Sequence, residues 1–152
     1  MHAGTLPVNA QNALAKLGKS NIVAGEFESI KLSLFRYDYP MIGKFSIFKN
    51  VKIASIEDIA AMKLSAISGR ATKRDYVDLY FISRIYEVDK IIDFYIKKFG
   101  DTGNNIYVIM KALGFFEDAE GDEMPKMIKK VVWNEVKVFF SKETIRLAKK
   151  YI

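Results

Sequence analysis

A change of period constrains this chain more than any other feature. Up to about residue 54 the apolar residues alternate or gather in short β-branched and aromatic runs. From Ser55 onward they recur every three or four residues. Ile22 to Phe27 and Ile30 to Phe35 read as strands, and in the second Ile30, Leu32 and Leu34 alternate with Lys31, Ser33 and Phe35. Tyr37-Asp38-Tyr39-Pro40 ends that run, because a proline nitrogen has no hydrogen to give to a ladder. Two further short strands, Phe45–Phe48 and Val51–Ala54, are separated by Lys49-Asn50, a spacing that suits a tight connection or a bulged strand. Strands followed by helices predict an α+β fold, a small mostly antiparallel sheet and then a helical region. A β-rich segment over 1–54 and a helical one over 55–152 are expected to form one compact domain.

The helical part has readable punctuation. Ser55 can cap a helix that carries Glu57 and Asp58 at the positive end of its dipole and exits at Gly69. Thr72 can cap a second helix running to about Tyr86. Val88–Phe99 predicts a third, stopped by Gly100, and Asn104–Leu113 a fourth. Phe115 to Pro125 reads as an acidic loop anchored by Phe115 and Phe116. Trp133–Phe140 and Lys142–Tyr151 read as two closing helices with Ser141 between them. Ahead of the strands, Ala10, Ala13, Leu14 and Leu17 mark a short helix over Asn9–Leu17 that Gly18 ends.

Composition narrows the chemistry. With 152 residues, half of them hydrophobic, the chain suits a single domain with a real core. The absence of cysteine excludes disulfides, thiolate metal sites and a cysteine nucleophile, and fits a reducing cytosol. The single histidine is His2, which leaves no histidine triad and no multi-histidine metal site. No apolar stretch is long enough to span a bilayer, and Met1 to Gln11 lacks the basic-then-apolar order of a signal peptide. The net charge of +6 favours phosphate-bearing partners. Lys16, Lys19, Lys31, Arg36, Lys44, Lys49 and Lys52 face only Glu26, Glu28 and Asp38 in the first third. That excess reads either as a nucleic-acid-facing surface or as a solvated lysine face.

The chemistry gathers between Ile53 and Phe81. Ile56, Ile59, Lys63, Ile67 and Arg70 follow three- and four-residue steps and share roughly one helix face. A lysine within an apolar face either snorkels to its rim or points into a cleft. Arg70 lies two turns beyond Lys63, roughly 10 Å along the axis. Asp75 and Asp78 are three apart on the next helix and can share a face. Lys63 and Arg70 can therefore hold phosphate, with Asp75 or Asp78 orienting Lys63 or a substrate hydroxyl. The competing reading is a set of salt bridges in a helical hairpin, with Arg74 pairing Asp78 at i, i+4.

The Lys63…Arg70…Lys73-Arg74-Asp75…Asp78-Leu79 stretch resembles the signature of the AbiEii/AbiGii toxin family, a branch of the polymerase-β-like nucleotidyltransferases. Ile30 to Pro40 resembles the strand before that motif, and Phe115 to Glu120 and Val132 to Phe140 resemble the family's C-terminal region, so the likeness covers about residues 25 to 145. It implies a partial nucleotidyltransferase fold, with Lys63, Asp75 and Asp78 as catalytic residues and Arg70, Lys73 and Arg74 as substrate-binding ones. It also implies enzymes that transfer nucleotides to RNA ends, notably tRNA, using a nucleoside triphosphate and Mg²⁺, within toxin–antitoxin or phage-defence systems.

The family's Gly-rich element and Asp-x-Asp strand have no counterpart here. Gly4 and Gly18 lack the required context, and no aspartate precedes Asp38. Glu26-Phe27-Glu28 has the right gap to put two carboxylates on one strand face but lacks the glycine turn, and reads as a solvated face. Ser33 stands in the middle of the strand where a third metal carboxylate is expected. No metal and no resident cofactor are therefore expected, and the chain reads as an N-terminally truncated, inactive relative or as a fragment. The alternative is a non-catalytic module that binds RNA or an antitoxin protein. An open sheet edge left by missing strands further predicts a homo-oligomer.

Overall fold

The computed structural model describes the backbone of residues 22–27, 30–101 and 105–151. The helix expected over Asn9–Leu17 lies outside them. The chain divides into two units, Met1–Tyr39 and Pro40–Ile152.

In the first unit, β1 (Ile22–Phe27) and β2 (Ile30–Phe35) pair antiparallel, from Ile22 opposite Phe35 to Phe27 opposite Ile30. Both lie where the alternation places them. Ser33 is exposed and Leu34 is half-buried. From the last residue of β2 onward, Phe35, Tyr37 and Tyr39 form an aromatic run, with ring centroids 5.9 and 5.3 Å apart in turn.

The second unit begins with a hairpin of β3 (Ser46–Phe48) and β4 (Val51–Ile53). Lys49 and Asn50 both take positive φ, 46° and 67°. Of the two sequence alternatives, this is the tight two-residue turn whose twist matches the strands. The helices follow: α1 (Ile56–Gly69), α2 (Lys73–Ile82), α3 (Val88–Phe99), α4 (Asn105–Leu113), the single turn α5 (Glu117–Glu120) and α6 (Trp133–Tyr151). The architecture is α+β, with short antiparallel strands preceding the helices.

The strands form two separate two-stranded sheets among the described residues. The core is helical, built from Ala60, Leu64 and Ile67 of α1, Tyr76, Val77, Leu79 and Tyr80 of α2, Val88, Ile91 and Ile92 of α3, Ile109, Met110 and Leu113 of α4, and Val136, Phe140 and Leu147 of α6. Tyr76 sits at its centre, against Phe116, Trp133 and Phe140. Its hydroxyl lies 2.7 Å from the Ala112 carbonyl and 2.5 Å from that of Phe115, joining α2 to the end of α4. Burial pushes that hydroxyl's pKa up.

Three differences from the sequence expectation go beyond a single residue at the end of an element. The second helix stops at Ile82, because Arg84 and Ile85 bond to carbonyls three residues back and the chain tightens. That turn brings the Tyr86 hydroxyl to donate to Glu57 at 2.8 Å. The acidic loop contains α5, and of its two phenylalanines Phe116 packs on the core while Phe115 is largely exposed. Ser141 does not divide the last helix. Val136, Phe140 and Leu147 continue one buried stripe past it, so a single helix serves both halves. Among the described residues, no helix is long and apolar enough to cross a membrane.

Candidate functional site

Two side-chain caps set the site. Ser55 Oγ accepts the Asp58 amide at 3.1 Å and starts α1, which carries Lys63 two turns on. Between α1 and α2, Ala71 adopts φ 47° and reverses the chain within a few residues. Thr72 then caps α2 by accepting the Asp75 amide. The reversal lays the end of α1 beside the start of α2, so that Lys63 and Arg70 both face Asp75.

Lys63 is not in the middle of an apolar face. The buried stripe of α1 is Ala60, Leu64 and Ile67, and Lys63 stands at its half-buried edge with Ile59, while Ile56 and Arg70 on the same side are exposed. From that rim its ammonium reaches Asp78 Oδ2 at 2.6 Å and Asp75 Oδ1 at 3.1 Å. Arg70 grips the same Asp75 with Nε on Oδ2 at 3.0 Å and Nη2 on Oδ1 at 3.3 Å. Thr72 Oγ1 donates to Oδ2 at 2.6 Å. The Asp75 side chain is fully buried, while that of Lys63 is 22% exposed, Asp78 42% and Arg70 68%. Burial alone would raise the Asp75 carboxyl, but hydrogen bonds from Arg70, Thr72 and Lys63 outweigh it and hold the pKa below the usual value. The same contact raises that of Arg70.

Lys63, Arg70, Asp75 and Asp78 thus form one network, while Lys73 and Arg74 are not part of it. Lys73 turns away and is buried. Its ammonium donates to the carbonyls of Glu120 at 3.2 Å and Asp122 at 2.6 Å, 5.3 Å from the Trp133 ring centre. Its amide donates to Asp122 Oδ2 at 2.9 Å. Lys73 therefore straps the acidic loop to the start of α2. Arg74 is exposed and lines an open hollow with Arg70, Thr72, Asp122 and Glu123. Asp78 takes Lys63 as its partner, and no ion pair among the described residues joins it to Arg74.

The sequence reading missed a second charged centre. Asp58 and Lys98 are both fully buried and pair at 2.6 Å. Asp58 also accepts the amides of Ile42 at 3.1 Å and Gly43 at 3.0 Å, and the Ser55 hydroxyl at 2.8 Å. The available signal was the Ser55-x-x-Asp58 spacing, which announces a helix start but not a lysine forty residues away.

The donor set does not suit a divalent cation. Asp75 already accepts from two cations and a hydroxyl, and Asp78 is neutralised by Lys63. Among the described residues no group of three or more acidic or histidine side chains is arranged to hold a metal ion. The network balances two positive charges against two negative ones. What it offers chemically is a lysine and an arginine held rigidly at a surface, one of whose carboxylate partners is itself accessible.

Short antiparallel strands are thus followed by a helical hairpin whose two helices are joined by the Lys63–Arg70–Asp75–Asp78 network. The family described as Nucleotidyl transferase AbiEii toxin, Type IV TA system, matches residues 28–144, and the chain belongs to that family. It is 34% identical over 127 residues to the uncharacterized protein aq_aa25 of Aquifex aeolicus (strain VF5), a match covering 76% of this chain and 56% of that protein. The chain thus spans about half the length of the curated relative it matches. No solved structure gives a significant match.

Proposed function

We propose that the Lys63 network is the phosphate-handling part of a nucleotide transferase acting on RNA, tRNA being the RNA that the family likeness suggests. The carrying observation is that Lys63 bridges one buried and one accessible carboxylate. Asp75 is the positioning residue, since it fixes the Lys63 ammonium and the Arg70 guanidinium and touches no solvent. Asp78 is the exchangeable partner. A triphosphate or RNA phosphate displaces it and takes the Lys63 ammonium, with Arg70 supplying further donors from the rim. No metal-dependent step is assigned to these residues, because Asp75 already accepts from two cations and a hydroxyl, which leaves Asp78 as the one carboxylate of the network that phosphate would free. Transfer itself then needs carboxylates beyond those described, and this chain alone is expected to bind without turnover.

The test is triphosphate binding by calorimetry, beside incorporation of labelled triphosphate into total tRNA with Mg²⁺. Lys63→Ala should weaken triphosphate binding about tenfold or more, the loss expected for a charge-assisted hydrogen bond. Asp78→Asn, which frees Lys63, should not weaken it. Binding that is unchanged in Lys63→Ala would sink the assignment. The second reading is a non-catalytic module that binds RNA or an antitoxin protein. It is favoured by the engagement of both Asp75 and Asp78 in ion pairs within the helical hairpin, and it predicts binding of RNA or a partner with no triphosphate binding at all.

A further inference from the structure

The β3–β4 hairpin adds nothing to the core. Every residue from Lys44 to Ile53 is exposed. Phe45, Ile47, Phe48, Val51 and Ile53 leave between 43% and 68% of their surface in solvent. Yet the hairpin is held firmly at both ends by the buried Asp58–Lys98 pair. On the entering side Asp58 accepts the Ile42 and Gly43 amides, and Lys98 donates to the Pro40 carbonyl at 2.7 Å. On the leaving side Asp58 accepts the Ser55 hydroxyl. Gly43 passes so close to Ser55 that a Cβ would sit 2.7 Å from the serine Cβ. With the two positive-φ residues at its tip, the hairpin is a stiff ribbon fixed at its base and open on both faces.

Its chemistry is specific. Residues 40–54 contain Lys44, Lys49 and Lys52 and no acid. The register puts Ile47 opposite Lys52 and Phe48 opposite Val51, so strand alternation gives the two faces Phe45 and Phe48 respectively. The Lys52 ammonium lies 4.7 Å from the Phe45 ring centre, and that of Lys49 lies 5.5 Å from the Phe48 ring centre. Each face offers an aromatic ring with an ammonium over it, a place a stacking base takes when the lysine swings out to its phosphate. An apolar protein partner would need the rings but not the lysines. A nucleotide needs both, the ring to stack on its base and the cation to meet its phosphate.

We propose that this hairpin is a binding ribbon for single-stranded RNA, with bases stacked on Phe45 and Phe48 and phosphates met by Lys44, Lys49 and Lys52. It rests on the reading of RNA as the substrate and gives that RNA a surface outside the Lys63 network.

The experiment is fluorescence anisotropy with a labelled single-stranded oligoribonucleotide titrated with the full chain, at several salt concentrations. Phe45→Ala/Phe48→Ala should lower affinity about tenfold or more. Lys49→Gln/Lys52→Gln should flatten the slope of log affinity against log salt by about 1.4. Lys126→Gln/Lys129→Gln removes the same charge from another exposed segment and should change neither. Unaltered far-ultraviolet circular dichroism checks that the variants fold. The proposal is overturned if wild type fails to bind, or if both hairpin variants bind as wild type does. It is equally overturned if the hairpin substitutions abolish binding to phosphatidylserine vesicles, or self-association in sedimentation, but leave RNA affinity intact. The two readings fail separately. Hairpin-dependent RNA binding with triphosphate binding indifferent to Lys63→Ala removes the nucleotide assignment and keeps the ribbon, and the opposite pattern does the reverse.

Discussion

Asp58 and Lys98 show how much depends on one residue pair. Burial works to raise the Asp58 carboxyl, yet the bonds from Lys98, Ile42, Ser55 and Gly43 prevail and lower it from 3.8 to about 2. A carboxyl depressed in the folded state contributes stability that is complete above its unfolded value and disappears as pH falls through the folded one. The loss is therefore expected between about pH 4 and pH 2. Asp58→Asn should cost about 3 kcal/mol or more in urea unfolding at neutral pH, because it leaves a buried ammonium without its carboxylate. Its stability should also fall less steeply than wild type over that acid window. Equal acid slopes for the two proteins would refute the account. Asp75→Asn should cost less, roughly 2 kcal/mol, since Lys63 and Arg70 can rehydrate at the rim. Much of this chemistry was legible in residue types and spacings, as with Thr72 and Ser55 as caps and Lys63 facing Asp75. What could not be read was the use of identical residues. Lys63, Lys73 and Lys98 look alike in the sequence, but tertiary contacts make one a rim cation, one a loop strap and one a buried counter-ion.

Among the elements, helix ends with side-chain caps or glycine stops were readable. Val88–Phe99 and its stop at Gly100, which takes φ 87°, fall where the sequence places them. Ends set by what the chain must next touch were not, as where α2 gives way early so that Tyr86 can reach Glu57. Ser141 is the informative failure. Serine favours a cap in isolation, but here it is an exposed interior position of α6 while Phe140 beside it is buried. In a helix interior alanine is the better residue, so Ser141→Ala should stabilise by up to about 0.5 kcal/mol. Were Ser141 instead the cap of a separate helix, the same change would cost about 1 kcal/mol. Thermal unfolding distinguishes the two by the sign of the shift in Tm.

For the whole molecule, the question is where the folding unit begins. The change of period puts a boundary near residue 54, yet the hydrogen bonds that satisfy the buried Asp58–Lys98 pair come from Pro40, Ile42 and Gly43, on the far side of the hairpin. Among the described residues, the buried core also lies between Ala60 and Leu147. A chain starting at Pro40 keeps both the core and every one of those bonds. A chain starting at Ser55 keeps the core but removes two amides from a buried carboxylate and a carbonyl from its lysine, each a cost of about 1–3 kcal/mol. Against the 5–15 kcal/mol by which a domain is ordinarily stable, that loss is decisive. Residues 40–152 should therefore unfold in urea as a single cooperative transition. Residues 55–152 should be markedly less stable or only loosely packed, with weakened near-ultraviolet dichroism from Trp133 and the tyrosines. If the shorter fragment proved as stable as the longer one, the hairpin base would be an ornament of the helical unit and the Asp58 clamp would have no structural consequence.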